Sequence, residues 1–281
     1  MSHLETLLFQ GLPAVRLRAN DGSTATITLH GAHVVSWTDA RGLERLYLSP
    51  TSRFDAGQAI RGGVPVIFPQ FSTRGPLPRH GFARTAAWSV VEAPPASADC
   101  SVTLRLHSSA DTHALWPQAF VCELIVALED GRLCMRLEVN NLGTAPFSFQ
   151  AALHTYLAVG SLGSVRLSGL ENCVFEDSTQ AHGPRAADRQ AVLHIDGTTD
   201  RIYYDTPSPL ALQSDHGALA LEQQGFCDVV VWNPGQTAQG AFADLPQDGY
   251  QHFVCVEAAL IGRACELGAG ERWVGMQTLG A

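Results

Sequence analysis

The sequence contains no lysine, so arginine supplies all 18 of its basic residues. This absence excludes Schiff-base catalysis, a lysine-anchored pyridoxal phosphate and the lysine of a nucleotide-binding phosphate loop. Arginine favours a different chemistry, because its planar guanidinium binds phosphate or carboxylate through two parallel hydrogen bonds. The basic residues therefore favour anion recognition over covalent catalysis by an amine.

Long hydrophobic runs are also absent. A membrane-spanning helix needs about 20 apolar residues, whereas the longest apolar runs, such as Val64–Phe68 and Val229–Trp232, have the length of a strand. The first residues, Met-Ser-His-Leu-Glu-Thr, lack the basic start and apolar stretch of a secretory signal. We therefore expect a cytoplasmic protein with no membrane partner.

Positive charge and paired metal ligands are scarce. The net charge of −9 argues against nucleic acid as a partner, because nucleic-acid binding depends on a positive surface. The 7 cysteines form no Cys-x-x-Cys pair, which indicates reduced core thiols rather than disulfides or a zinc site. His30 and His33 have a spacing that would suit a metal, but no third ligand is near in sequence. We expect no metal.

Helical periodicity is missing, and alternation with a period of two takes its place. Apolar residues alternate with polar ones in Val102–Leu106 and again in Leu133–Val139. This pattern is typical of strands with one buried face. Asp130 and Gly131 lie between two such runs, as a hairpin turn requires. The sequence predicts an all-β fold.

Strand-like runs recur along the whole chain, separated by Gly or Pro at intervals of roughly eight to twelve residues. We found neither an internal repeat nor a low-complexity linker, so we expect one domain over residues 1–281, built as a sandwich or a large barrel. The segment Ala93–Ala98 is predicted to be a surface loop. The other predicted strands are Ala14–Arg18, Ala25–His30, Arg45–Ser49, Val192–Ile195, Ala218–Glu222, Val229–Trp232, Phe253–Val256 and Trp273–Thr278.

Residues 56–91 contain no acidic residue, although the protein as a whole is acidic. Glycine and proline surround the basic residues of this stretch, as in loops whose backbone approaches a ligand closely. Anion binding and a simple solvated basic loop both remain open from chemistry alone. The basic residues are Arg61, Arg74, Arg79, His80 and Arg84.

Two ionisable residues occupy positions where catalytic groups are often found. His154 follows the strand-like run Phe147–Ala151, so it would lie at the end of a strand, although a structural histidine would fit there too. Glu257 ends an apolar run that is typical of a buried central strand, and a buried carboxylate is costly unless it is paired or used. Asp200 lies next to Arg201 at the start of a strand. It would either serve the site or form a surface ion pair. Trp232 would serve either as a platform for a sugar or as a core residue.

Six motifs, taken together and in this order, resemble the hexose-6-phosphate mutarotases of the aldose 1-epimerase superfamily. The resemblance covers most of the chain, and each motif by itself is weak. The motifs are Arg61-Gly62-Gly63-x-Pro65-x-x-Phe68-Pro69, His80-Gly81-Phe82-Ala83-Arg84, Leu153-His154-Thr155-Tyr156 followed by Gly169-Leu170-Glu171, Asp200-Arg201-Ile202-Tyr203, Val231-Trp232-Asn233-Pro234 and Cys255-Val256-Glu257-Ala258.

The resemblance implies a galactose-mutarotase-like β-supersandwich that uses no metal and no organic cofactor. It implies an enzyme that acts on a small sugar phosphate, such as glucose 6-phosphate, and we expect a monomer. In such an enzyme His154 would be the general acid and Glu257 the general base, a role that an ordinary, ionised glutamate fills at neutral pH. The implied substrate contacts are Arg61, Arg79, His80, Arg84 and Asp200.

The chain departs from the family pattern at two positions. Arg79 stands where the family often carries glutamine, and Gly235 stands where a tryptophan often follows the Trp-Asn-Pro motif. Other functions also remain open from the residues. They are a mutarotase for free aldoses, a carbohydrate-binding module without catalysis, and a glycoside hydrolase that would use Glu257 with Asp200.

Overall fold

The computed structural model describes residues 3–91, 100–180 and 185–281. The predicted loop Ala93–Ala98 lies outside the described residues. The strands, in chain order, are β1 His3–Phe9, β2 Leu12–Arg18, β3 Thr24–Thr28, β4 His33–Thr38, β5 Val66–Ile67, β6 Ser89–Val91, β7 Cys100–His107, β8 Phe120–Glu129, β9 Arg132–Asn141, β10 Phe147–Leu153, β11 Tyr156–Ala158, β12 Arg166–Ser168, β13 Val174–Asp177, β14 Ala186–Ala187, β15 Val192–Leu193, β16 Thr199–Tyr204, β17 Leu210–Ser214, β18 Gly217–Gln224, β19 Asp228–Asn233, β20 Phe253–Leu267 and β21 Arg272–Gly280.

Helices are few and short in the part of the chain that the structure describes. The longest, α1, covers Ala110–Leu115 and begins with a capping box in which Ser109 and Thr112 bond each other's backbone amides. The helix α2 covers Gly235–Ala238, and single 3₁₀ turns cover Ala83–Thr85, Leu162–Ser164, Gln239–Ala241 and Gly249–His252. Across the described ranges no helix has the length and apolar character needed to cross a membrane.

The strands form three antiparallel sheets. A four-stranded sheet has the order β1-β2-β3-β4, and a nine-stranded sheet has the order β15-β12-β17-β18-β21-β9-β8-β7-β6. An eight-stranded sheet has the order β14-β13-β16-β19-β20-β10-β5, with β11 also paired to β20. The prediction of an all-β fold is confirmed.

The predicted alternation agrees with burial. Val102, Leu104 and Leu106 are buried on β7, as are Leu133, Met135, Leu137 and Val139 on β9. Asp130 and Gly131 connect β8 to β9, and both have positive φ, as a two-residue hairpin turn of type I′ requires.

Two predicted strands differ most from the structure, whereas Ala25–His30 and Val192–Ile195 only end two residues early, at Thr28 and Leu193. Arg45–Ser49 forms no regular strand, because only single bridges connect Leu46 to Leu157 and Leu48 to Gly62. The predicted strand Phe253–Val256 is longer than expected, since β20 begins at Phe253 and continues to Leu267. Glu257 therefore lies inside β20 rather than at its end.

The largest core cluster joins apolar residues of all three sheets, including Val15 of β2, Leu137 of β9 and Val256 of β20. Strand β20 alternates between two environments. Val254, Val256 and Ala258 face this core, whereas Cys255 and Ala259 belong to separate apolar clusters on the other face. Because side chains alternate along a strand, Glu257 faces the same side as Cys255 and Ala259.

Candidate active site

The register of the central strands aligns His154 with Glu257. Strand β10 pairs Leu153 with Ala258, and β11 resumes the same antiparallel register by pairing Tyr156 with Cys255. His154 and Thr155, between the two strands, therefore lie opposite Glu257 and Val256. Side chains directly opposite each other in an antiparallel pair are neighbours on one face of the sheet.

The two side chains meet across this register, with His154 Nε2 3.3 Å from Glu257 Oε1. His154 is 8% exposed and Glu257 is 1% exposed. Among the described residues, neither His154 Nδ1 nor Glu257 Oε2 has a hydrogen-bond partner. Buried polar atoms are normally satisfied, so these two atoms are suited to hydrogen bonds with a bound ligand.

Burial moves the two pKa values in opposite directions. It lowers the pKa of His154 well below 6.5, and the positive charges of Arg84 and Arg61 act in the same direction. Burial raises the pKa of Glu257 well above 4.5, with a further contribution from the negative charge of Asp200. The expectation of an ordinary glutamate is therefore wrong. Both shifts favour the uncharged forms of the pair, a neutral imidazole and a protonated carboxylic acid.

Arg61 is held at the wall of the cleft by three side chains. Its Nε lies 3.2 Å from Asp244 Oδ1, its Nη1 donates to the Tyr156 hydroxyl at 3.1 Å, and its guanidinium lies 4.8 Å from the ring centre of Phe242. Burial alone would lower the pKa of Arg61, but Tyr156 and Asp244 outweigh it and raise the pKa. The following Gly62 is needed because a Cβ there would lie 2.3 Å from the Tyr47 carbonyl oxygen.

The loop that carries Arg79, His80 and Arg84 is shaped by unusual backbone angles. His80 has a φ of 67° and Gly81 one of 70°, and a Cβ at Gly81 would lie 2.1 Å from the Phe68 carbonyl oxygen. His80 Nδ1 accepts a hydrogen bond from the Ser72 amide at 3.3 Å. Burial and the nearby arginines lower the pKa of His80 to about 3, so its imidazole is neutral and Nε2 carries the proton.

Two arginines of this loop occupy different depths. Arg84 is half-buried, and its Nη2 donates to the Arg79 carbonyl oxygen at 3.0 Å. Burial lowers the pKa of Arg84 from its usual high value, although the group stays charged at neutral pH. Arg79 is exposed at the edge of the cleft. Burial raises the pKa of Asp200 across the cleft, and the positive charge of Arg79 opposes this increase.

A second row of side chains lies next to the His154 row on the same sheet face. Asp200 pairs with Trp232, and Trp232 pairs with Cys255 of β20. Trp232 is half-buried and lines the cleft, where its ring lies 5.9 Å from that of His154. Trp232 thus combines both predicted roles, because one part of it packs in an apolar cluster and another part faces the cleft.

The side chains predicted for the site border one cleft with a volume of about 660 Å³, within the range of small-molecule sites. The cleft lies on the face of the eight-stranded sheet that points away from the main core. It brings together all seven residues that the sequence predicts for the site, which are Arg61, Arg79, His80, Arg84, His154, Asp200 and Glu257.

Sequence reasoning missed several residues of the cleft. Phe242 lines it, and Asp244 and Tyr156 hold Arg61 in it. Glu176 also lines it and forms an ion pair with Arg74 at 2.5 Å. Tyr156 lies within one of the motifs, and its aromatic type was a usable signal. Nothing in the sequence separates Phe242, Asp244 or Glu176 from other aromatic or acidic residues.

The two histidines considered for a metal have other partners. His30 Nε2 lies 2.6 Å from the Gln58 carbonyl oxygen, and His33 Nε2 lies 2.7 Å from the Gly62 carbonyl oxygen. Within the described part of the chain no group of three His, Cys, Asp or Glu residues could hold a metal. The seven cysteines are free thiols.

The departure at Gly235 has a steric explanation. Gly235 has a φ of 61°, and a Cβ there would lie 2.4 Å from the Thr198 amide nitrogen. A tryptophan would not fit at this position without movement of the backbone. An aromatic wall is nevertheless present, because Phe242 packs edge-on against Trp232 with 5.7 Å between the ring centres.

Comparison with known proteins agrees with this geometry. The sequence model of the family described as "Aldose 1-epimerase" matches residues 13–279. A Cenchrus ciliaris protein named "Putative glucose-6-phosphate 1-epimerase" is 34% identical over 282 residues, covering 96% of this chain and 85% of the relative. An Escherichia coli protein of the same name is 34% identical over 240 residues, covering 84% of this chain and 79% of the relative.

The fold is similar to a solved structure over nearly its full length. The crystal structure of a Salmonella typhimurium protein described as a "putative mutarotase" matches with a TM-score of 0.89 and 27% identity, and the match covers 99% of this chain and 92% of that chain. The predicted β-supersandwich of the mutarotase type is therefore confirmed.

Proposed function

The chain belongs to the aldose 1-epimerase family and is an isomerase, and from that premise we propose that it interconverts the α and β anomers of a hexose 6-phosphate. Glucose 6-phosphate is the substrate to test first, because the curated relatives carry it in their names. We assign His154 and Glu257 as the acid and base pair. Arg61, Arg79, His80, Arg84 and Asp200 are the proposed substrate contacts.

One observation carries the proposal. A buried histidine and a buried glutamate, 3.3 Å apart, each present a polar atom that has no partner among the described residues. They share a cleft with a cluster of arginines. A binding module has no need of such a pair, since burying two ionisable groups costs free energy that sugar binding alone does not recover.

Mutarotation neither gains nor loses protons overall. A pair that accepts one proton and donates another in the same step suits this reaction. Ring opening proceeds from the form of the pair in which the shared proton has moved from Glu257 to His154: the carboxylate of Glu257 takes the proton of the anomeric hydroxyl while the imidazolium of His154 protonates the ring oxygen. The step leaves a neutral imidazole and a carboxylic acid, the uncharged form that burial favours. Rotation about C1–C2 and closure with reversed roles then give the other anomer.

The arginines supply binding and orientation in this proposal. Arg61 uses its Nε and one Nη1 hydrogen for Asp244 and Tyr156, which leaves guanidinium hydrogens free for a phosphate. Arg84 is held in the cleft by its bond to the Arg79 carbonyl oxygen. A phosphate fixed by these groups orients the sugar, so that C1 reaches His154 and Glu257.

The test measures anomer exchange of glucose 6-phosphate by exchange NMR. We expect Glu257→Gln and His154→Asn each to reduce the catalysed rate by about 10²-fold or more, the usual contribution of one proton-transfer group. Both variants stay close to the original side chain in size, so circular dichroism should report an unchanged fold.

The matched control is Glu138→Gln. Glu138 is also buried, but its carboxylate pairs with Arg136 and Arg272 and does not line the cleft. Its exchange rate should stay at the wild-type value. Near-wild-type rates in Glu257→Gln or His154→Asn would reject the assignment, and a wild-type protein that does not accelerate exchange would reject the function.

A further inference from the structure

A glutamine from the other large sheet contacts the back of the His154 and Glu257 pair. Behind these two residues, on the core side of the same strands, lie Thr155 and Val256. Gln277 Oε1 accepts a hydrogen bond from Thr155 Oγ1 at 2.6 Å, and Gln277 Nε2 donates to the Val256 carbonyl oxygen at 3.1 Å. Gln277 belongs to β21 of the nine-stranded sheet, so its side chain crosses the core between the sheets.

The strand pairing is incomplete at this point. Residues that face each other in an antiparallel pair can exchange two backbone hydrogen bonds. The Val256 amide donates to the Thr155 carbonyl oxygen at 3.1 Å, but the Thr155 amide turns away and donates to the Leu153 carbonyl oxygen at 2.9 Å. The Val256 carbonyl receives the side-chain amide of Gln277 in its place.

An amide is an unusual choice for this part of the core. Gln277 is 3% exposed and Thr155 is fully buried, and the apolar residues Val229 and Ala258 line the same small cavity as Gln277. An apolar pair of similar size would leave the buried Val256 carbonyl without a donor, which costs free energy. The polar bridge therefore fixes the backbone where the pairing of the two strands is interrupted.

We propose that Gln277 is a positioning residue, which fixes the backbone at Thr155 and Val256 so that His154 and Glu257 stay in contact across the strands. The inference rests on the proposed function, because that function makes this contact the site of proton transfer. Gln277 itself does not line the cleft. Its loss should therefore change the chemical step and leave substrate binding intact.

The first test is Gln277→Met, which keeps the length of the side chain and removes both hydrogen bonds. Because small displacements of reacting groups reduce rates strongly, we expect kcat for anomer exchange to fall about tenfold, with an unchanged KM for glucose 6-phosphate. Gln223→Met is the matched control, since Gln223 faces Gln277 on the neighbouring strand but bonds Thr206 and Asp228. Its kcat should stay within about twofold of the wild type.

A second pair of variants tests the bridge if Gln277→Met folds poorly. Thr155→Ser keeps the hydroxyl that donates to Gln277 and should retain the wild-type kcat. Thr155→Val removes the hydroxyl at nearly the same volume and should lower kcat at constant KM. Equal kcat in Thr155→Ser and Thr155→Val, or a Gln277→Met kcat close to that of the wild type, would overturn the proposal.

An activity-independent measurement separates this inference from the proposed function. The imidazole NMR signals of His154 report its contact with Glu257 whether or not the protein turns over a sugar phosphate. We expect Gln277→Met to shift these signals and their pH titration, and Gln223→Met to leave them in place. If the wild type shows no exchange activity but the shift occurs, the proposed function fails and the positioning role stands. If the His154 signals do not shift, the positioning role fails.

Discussion

Glu257 owes its chemistry to its surroundings rather than to its residue type. It is 1% exposed and lies near Asp200, and these two factors raise its pKa, whereas burial lowers the pKa of His154. Both shifts favour the uncharged forms of the folded pair. In the unfolded chain the same residues titrate near their ordinary values of 4.5 and 6.5.

This difference predicts how stability depends on pH. Folding raises the pKa of Glu257, so the stability that its protonated form contributes is lost as the pH rises through the folded pKa, by up to about 1.4 kcal/mol per pH unit. Glu257→Gln removes that loss, because a glutamine does not titrate. We expect the stability of the variant relative to wild type to increase as the pH rises from 4.5 through the folded pKa of Glu257 in urea unfolding.

The control for this measurement is Glu138→Gln. The Glu138 carboxylate pairs with Arg136 and Arg272, so its removal should change stability by an amount that is constant over the same pH range. A Glu257→Gln difference that is also constant over that range would contradict the raised pKa of Glu257.

The arginines predict a separation between phosphorylated and free sugars. Arg61→Ala and Arg84→Ala each remove a guanidinium from the cleft, and a charge-assisted hydrogen bond contributes enough to change KM about 10- to 100-fold. We expect KM for glucose 6-phosphate to rise by this factor and KM for glucose, where it is turned over, to change little. Exchange NMR at varied substrate concentration measures both.

Arg105→Ala makes the same change in net charge on the nine-stranded sheet, where Arg105 pairs with Glu123 outside the cleft. Its KM for glucose 6-phosphate should equal that of the wild type. If KM for glucose 6-phosphate and KM for glucose rise equally in Arg61→Ala and Arg84→Ala, these arginines do not bind the phosphate.

At the scale of elements, the loop between β5 and β6 depends on glycines that other residues cannot replace. Gly81 has a φ of 70°, and a Cβ there would lie 2.1 Å from the Phe68 carbonyl oxygen. We expect Gly81→Ala to lower the free energy of unfolding by more than about 2 kcal/mol, because strain and a backbone clash combine. It should also raise KM for glucose 6-phosphate, since His80 and Arg84 move with the loop.

Gly217→Ala is the control for Gly81→Ala, because it introduces the same backbone strain without a steric clash. Gly217 has a φ of 88° in the turn between β17 and β18, and nothing lies within 4 Å of its added Cβ. Its cost should be about 1–2 kcal/mol, the value for a left-handed non-glycine residue. Urea unfolding compares the two variants, and an equal cost would show that the clash with Phe68 relaxes freely.

At the scale of the whole molecule, one apolar cluster joins the three sheets. Each sheet contains a tryptophan whose fluorescence reports its unfolding. These are Trp37 on β4, Trp232 on β19 and Trp273 on β21. Because a contiguous core unfolds cooperatively, we expect far-UV circular dichroism and tryptophan fluorescence to give one coincident urea transition. Two separate transitions would contradict the prediction of a single domain. The cytoplasmic location and the monomeric state also stay predictions.

Much of the fold followed from local patterns. Alternation predicted β7 and β9, and Asp130-Gly131 predicted the hairpin of β8 and β9, since both signals depend only on residues a few positions apart. The predicted strand Arg45–Ser49 was wrong because alternation alone does not supply a continuous pairing partner. The end of the strand containing Glu257 was also missed, because its length is fixed by pairing with β10 and β19.

The sequence by itself determined the chemical inventory of the site, namely a histidine at the end of a strand, a glutamate in an apolar run and an acid-free stretch of arginines. Only the tertiary structure decided how these groups act. It aligned His154 with Glu257, set Asp244 against Arg61 and brought Gln277 behind the pair. These contacts join residues that are far apart in the chain, and pKa values follow burial and neighbouring charge, which local sequence does not encode.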